Sequence, residues 1–98
     1  MTRFEWDPEK DASNQQKHGI GFSEATELFT SDVDYLEIYD ELHSDYEDRF
    51  IAIGPIRRGV VFVVWTERSP DTIRIIGARM ATAYEQEQFH DHMNNEKG

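Results

Sequence analysis

Cysteine is absent from this chain of 98 residues, so disulfides and thiolate metal sites are excluded outright. Proline is scarce at three, and no proline-rich linker, low-complexity tract or internal repeat divides the chain. One domain, residues 1–98, is expected. Long apolar runs are missing: the longest, Val60–Trp65, is far short of the ~20 residues a membrane helix needs. The start, Met1-Thr2-Arg3-Phe4-Glu5-Trp6-Asp7, has no apolar stretch of the kind a signal peptide carries. A cytoplasmic location is the expectation. No glycine-rich phosphate loop, nucleophilic serine motif or dinucleotide fingerprint is present. Positive charge is also in short supply, with 10 Lys and Arg against 20 Asp and Glu and a net charge of −10.

What is there is unevenly distributed. Residues 32–48 hold eight acids and no Lys or Arg, whereas residues 49–79 hold six arginines against Glu67 and Asp71. A basic sheet beside an acidic connection makes a polarised molecule, and the acidic sum alone does not exclude a nucleic-acid partner.

Val60–Trp65 (Val-Val-Phe-Val-Val-Trp) is β-branched and aromatic, of strand length, and bounded by turn signals at Arg57-Arg58-Gly59 and Ser69-Pro70-Asp71. Its unbroken apolarity predicts a central strand, 60–67, covered on both faces. Phe4-Glu5-Trp6 predicts an edge strand. Asp7-Pro8 starts a helix that runs to His18 and stops at Gly19. Ala12 is the only apolar residue in it, so an apolar stripe cannot dock it. A short second helix follows, with Ser23 as N-cap and its end near Phe29. Tyr35–Tyr39 is the next strand and Asp40–Asp48 a loop. Arg49–Ile53 is a strand ending at Gly54-Pro55, and Thr72–Gly77 is the last one. The final helix opens with the capping box Thr82-Ala83-Tyr84-Glu85, places Tyr84, Gln88 and His92 on one face, and leaves residues 94–98 as a frayed tail. The fold class is α+β: an antiparallel meander flanked by two N-terminal helices and one C-terminal helix.

Arg68, Arg74 and Arg79, gathered at one end or face of a small sheet, could hold a phosphate backbone and stabilise charge on a phosphoryl group. Surface solubility or ion pairs with the acidic loop would use the same residues. Lys10, Asn14, Lys17 and His18 share the first helix, and a histidine near a lysine could serve acid–base RNA cleavage without a metal. Lys17-His18-Gly19 equally satisfies the ordinary needs of a helix C-terminus. Metal ligation is not expected. His90 and His92 stand at i, i+2 and cannot share a helix face, and His43 among Asp40, Asp45 and Glu47 matches no loop pattern.

These residues also form a resemblance. Trp6-Asp7-Pro8-Glu9-Lys10, Asn14, Lys17-His18-Gly19-Ile20 and Phe22-Ser23-Glu24-Ala25 resemble the N-terminal signature of the BrnT-type toxin family. Glu47-Asp48-Arg49-Phe50-Ile51-Ala52-Ile53-Gly54 is similar to its middle element. Val63-Val64-Trp65-Thr66-Glu67-Arg68 and Ile73-Arg74-Ile75-Ile76-Gly77-Ala78-Arg79-Met80-Ala81-Thr82 are similar to its end. The resemblance spans about residues 5–89. It implies a RelE-like fold and a metal-independent endoribonuclease, the toxin of a type II toxin–antitoxin pair. It implies no cofactor, an RNA substrate, and a small DNA-binding antitoxin through which alone operator DNA is reached. Carried onto this chain, it implies Lys17, His18, Glu67, Arg68 and Arg79 as catalytic, with His18 or Glu67 moving protons. Arg49, Arg74, Lys10 and Asn14 would bind RNA. The alternative is a catalytically inactive relative that binds the antitoxin and regulates the operon. Gly77 stands where the family usually has Ser, and the net charge of −10 opposes RNA binding.

Overall fold

A computed structural model describes residues 2–97. Strand β1 (Arg3–Glu5) leads to α1 (Pro8–His18), then two single turns of helix, α2 (Phe22–Ala25) and α3 (Glu27–Thr30). Strand β2 (Leu36–Tyr39), a 3₁₀ turn at Glu41–His43, β3 (Arg49–Ile56), β4 (Gly59–Ser69) and β5 (Thr72–Met80) follow, and α4 (Ala83–Lys97) closes the chain. The sheet order is β1-β5-β4-β3-β2, with β4 in the middle as its composition requires.

The sheet is mixed. Strands β2 to β5 form the expected antiparallel meander, but β1 lies parallel to β5, Phe4 opposite Ile73. The first strand pairs with the last one across a long crossover, which is what makes a parallel pair possible. β1 stops at Glu5, one residue short of the expected Trp6, whose ring instead packs edge-on against Phe22. β3 runs past Gly54-Pro55 to Ile56 because β2 pairs only as far as Ile53, leaving Pro55 on an open edge where a missing N–H costs little.

Alternation along β4 sends Val61, Val63 and Trp65 to one face, where Ile20, Phe22, Ala25 and Leu28 cover them completely. A chain of ring contacts, Phe4–Phe29–Trp65–Phe50–Tyr39, crosses the same face. Gly54 belongs to this layer: a Cβ there would stand 2.6 Å from Cβ of Tyr35 and 2.7 Å from Cδ1 of Leu28. The opposite face is only half covered. Phe89 and Met93 of α4 join Leu36, Ile53, Val60 and Phe62 in a cluster on this face, to which no other described helix contributes. Cover on both faces, expected for the whole of 60–67, is thus complete on one face only, because α4 is too poor in apolar residues to span the other.

Helix α1 has no buried residue, and polar groups dock it. Asp7 caps its start by accepting from Glu9 N–H at 2.8 Å, and left-handed Gly19 (φ 69°) ends it. Asn14 donates to the carbonyls of Ala78 (2.7 Å) and Ile20 (2.9 Å) and accepts from Ala78 N–H (3.2 Å). Beyond Arg74, β5 has no strand on its outer side, so this one carboxamide stands in for a neighbouring strand's peptide group. Asp11 accepts from Phe22 N–H at 2.8 Å and so caps α2 from outside. That displaces the expected N-cap: Gly21, not Ser23, occupies the position. The expected single helix is two turns meeting at Thr26, whose hydroxyl bonds back to Ser23 carbonyl at 2.6 Å. Glu24 and the Gly19 carbonyl receive Arg58, at 2.6–2.9 Å, and tie the β3–β4 turn to the helices. Helix α4 continues to Lys97 through most of the tail expected to fray, and Gly98 lies outside the described residues.

Two stability outcomes follow. Asn14→Leu removes the partners of two β5 backbone groups and is expected to cost about 1–3 kcal/mol in urea unfolding. Gly54→Ala is expected to cost a similar ~1–3 kcal/mol by overpacking, whereas Gly77→Ala, with nothing within 4 Å of its Cβ, should unfold at a near-normal midpoint.

Candidate active site

Strand register decides which side chains share the half-covered face. Glu5, Arg74, Thr66 and Arg49 stand opposite one another on β1, β5, β4 and β3, a row across four strands. Gly77, Val64, Ile51 and Ile38 form the next row, and Arg79, Phe62, Ile53 and Leu36 the one after. A β-bulge inserts Ile76 between the first two rows. The face therefore presents an apolar strip with arginines on both sides. Arg74 and Arg79 are separated along the sheet by about 13 Å, four residues of β4 at ~3.3 Å each.

Each arginine is held differently. Arg74 bonds Glu5 at 2.6 Å. Arg79 forks onto both oxygens of Glu85 at 2.7 and 2.8 Å, with its guanidinium carbon 3.9 Å above the centre of the Phe62 ring. Arg49 has only a 3.5 Å contact with Glu47, and its buried Nε has no partner. Thr66 donates its hydroxyl to the Asp48 carbonyl at 2.5 Å, so it packs rather than projects. The Glu85 carboxyl is held below the ordinary value of 4.5, first by its side-chain hydrogen bonds to Arg79 and further by those from Thr82, with burial opposing them. The same bonds push Arg79 higher still. Thr82 and Glu85 also complete the capping box expected of α4, at 2.9 and 3.2 Å.

A hollow of about 340 Å³ opens in the uncovered half, lined by Asp40, His43, Arg49, Ile51, Phe62, Val64, Ile76 and Gly77. Gly77, with nothing within 4 Å of where a Cβ would stand, leaves the floor of this hollow open. A second hollow of about 220 Å³ shares Ile76 and is lined on its other side by Lys10, Ser13, Asn14, Lys17 and His18 of α1. The fold thus brings two of the expected groups to either side of Ile76: Arg49 on the sheet, and Lys10, Asn14, Lys17 and His18 on the helix. Arg74 and Arg79 lie on the same sheet face as Arg49. Asn14 spends its carboxamide on the backbone of β5 and Ile20. Glu67 and Arg68 are exposed near the end of β4, one and two residues beyond Thr66, where a second register shift interrupts the pairing. Along β4, Glu67 is about 16 Å from Phe62, opposite Arg79, but about 3 Å from Thr66, opposite Arg49 and Arg74.

Phe62, Thr66 and Ile76 were not visible as site residues in the sequence, where Asp40 and His43 were weighed only as metal ligands. The alternation Phe62-Val64-Thr66 was the available signal for the first two. Nothing local announces the bulge or the return of residues 40–43 to the sheet.

The architecture, a five-stranded mixed sheet with helices on both faces, is that of a solved ribonuclease toxin. It is similar to the 1.1 Å crystal structure of the Brucella abortus ribonuclease toxin BrnT, with a TM-score of 0.63, 19% sequence identity, and coverage of 84% of this chain and 99% of that one. The chain belongs to the family of ribonuclease toxins, BrnT, of type II toxin–antitoxin systems, whose model matches residues 6–85. An antitoxin partner goes with membership of such a system. No curated protein matches the sequence.

The Arg79–Glu85 pair makes a checkable pH signature. Because the folded carboxyl titrates below its unfolded value, the stabilisation is complete above that value and fades as pH falls through the folded one. Glu85→Gln keeps a capping side chain, so it is expected to cost about 1–3 kcal/mol at pH 7. In urea titrations that difference should shrink steadily on going below the ordinary value of 4.5.

Proposed function

We propose that this toxin cleaves RNA without a metal ion, on the uncovered half of the sheet face and across the Ile76 ridge to α1. The carrying observation is the register that sets Arg49 and Arg74 on either side of Thr66, beside an apolar strip and away from the covering helix. Among the described residues, no group of three or more His, Asp or Glu side chains is placed to hold a metal ion. Guanidinium groups are suited to the alternative, because they bind phosphate oxygens through fixed forks and stabilise the charge that builds on them. The ribose 2′-hydroxyl loses its proton and its oxygen bonds to phosphorus. The bond to the 5′-oxygen of the next nucleotide breaks, and that oxygen leaves with a proton. The products are a 2′,3′-cyclic phosphate and a 5′-hydroxyl end. His18 of α1, beside the shared ridge, supplies the leaving proton, and Lys10 and Lys17 hold the strand. The strip of Ile51, Val64 and Ile76 offers a base an apolar surface.

The toxin acts in the cytoplasm, where its RNA is made, and no described helix is long and apolar enough to cross a membrane. A small DNA-binding antitoxin neutralises it and carries the pair to operator DNA.

The test is cleavage of a labelled RNA by the antitoxin-free chain in EDTA at low salt. Wild type should cut and leave 2′,3′-cyclic phosphate ends. Arg49→Ala/Arg74→Ala, folded by circular dichroism, should lose about 10²-fold or more. Undiminished cutting by the double variant would move the site elsewhere, and activity that vanishes in EDTA and returns with Mg²⁺ would overturn the metal-free mechanism.

A further inference from the structure

The geometry points to His43, oriented by Asp40, as the general base of this toxin, the group that takes the proton from the ribose 2′-hydroxyl. The inference rests on the cleavage reaction proposed above and names the group that starts it. His43 Nδ1 lies 2.9 and 3.0 Å from the two oxygens of Asp40. A carboxylate in that position accepts, so Nδ1 carries the hydrogen and Nε2 presents its lone pair outward. The imidazole is open to solvent, its side chain 65% exposed, while the Asp40 side chain is only 14% exposed. That is the division of labour a base and its orienting partner need: a reachable ring and an anchored carboxylate.

The anchoring is visible in the backbone. Asp40 N–H donates to the Arg49 carbonyl at 2.8 Å, Ser44 hydroxyl donates to the Asp40 carbonyl at 2.5 Å, and Arg49 N–H donates to the Ser44 hydroxyl at 3.0 Å. These bonds close residues 40–49 into a tight return, so the Asp40–His43 turn and Arg49 are held as one unit. All three line the hollow floored by Val64 and Gly77. A base beside an arginine places proton removal next to the group that would receive the phosphate.

The step balances with groups already named. Nε2 of His43 takes the 2′-hydroxyl proton as the 2′-oxygen bonds to phosphorus. The 5′-oxygen departs with its bonding pair and takes a proton from His18, beyond Ile76. Proton exchange with water restores both histidines. Charged and titratable neighbours of His43 are Asp40, Asp45, Tyr46, Glu47 and Arg49, and no other described element brings such a group to the two hollows it lines.

The experiment measures initial rates against pH for wild type, His43→Gln, Asp40→Asn and His90→Gln. The probes are a short labelled RNA and, separately, translating ribosomes. Affinity is read with the same RNA carrying a single 2′-deoxy position. His43→Gln should lose about 10²–10⁴-fold in kcat, with KM and analogue affinity kept, and should lose the rise of rate with pH that a histidine base produces. Asp40→Asn should fall less, in kcat and not in KM, and His90→Gln should match wild type. Wild-type-like rates and pH profile for His43→Gln would overturn the assignment while leaving the ribonuclease intact. Loss of analogue binding in step with rate would overturn it too, by making His43 a contact rather than a base. A wild type silent on both RNA and ribosomes would overturn the cleavage reaction and the base together.

Discussion

Everything else in this molecule depends on the burial of Val61, Val63 and Trp65 beneath Phe22, Ala25 and Leu28. Each fully buried apolar side chain contributes about 1.5–3 kcal/mol, so that layer dominates the stability of a chain with so small a core. It also sets register. Side chains on a strand alternate with a period of two, and a slip by one residue would send Arg49, Arg74 and Thr66 into the core. The arginine face is thus held in place by the packing of the face behind it. A short apolar inventory in α4 then leaves half of that face open, and the open half is where the candidate chemistry lies.

The first helix shows a second constraint. A helix with no apolar stripe would not stay docked on hydrophobic burial, and here Asp11 and Asn14 replace burial with directed hydrogen bonds to α2 and β5. These bonds place Lys10, Lys17 and His18 beside the sheet while those side chains remain exposed. A polar dock suits a helix that must present charge to a ligand, because the docking groups consume none of the cations.

Charge is the cost of this arrangement. Residues 32–48 are not remote from the arginines: Asp40 lines the same hollow as Arg49, and Glu47 contacts Arg49 directly. Carboxylates so close reduce attraction for a phosphate backbone, and they also hold the guanidinium and imidazole groups in fixed orientations. The polarisation seen in composition therefore persists in space, but as two signs side by side and not as opposite poles.

The central position of Val60–Trp65, the meander, the limits of α1 and the capping box of α4 were legible in the sequence, because each rests on a local rule: β-branched burial, turn residues, and caps within four residues. The predicted elements carried the α+β class, and the family signature carried the ribonuclease toxin reading. The parallel β1–β5 pair, the outside cap on α2 and the break at Thr26 were not legible, since each depends on a partner far along the chain. The candidate site divides the same way. Residue types named arginines, lysines and a histidine, but only register shows that Arg49, Arg74 and Arg79 share one face of the sheet. Only tertiary packing turns Asn14 into a strand substitute, and only the return of residues 40–49 to the sheet places His43 beside Arg49. Sequence by itself determined where the central strand and the helix ends lie and which chemistry is available. The structure decided which of those groups meet, because meeting is a property of long-range pairing.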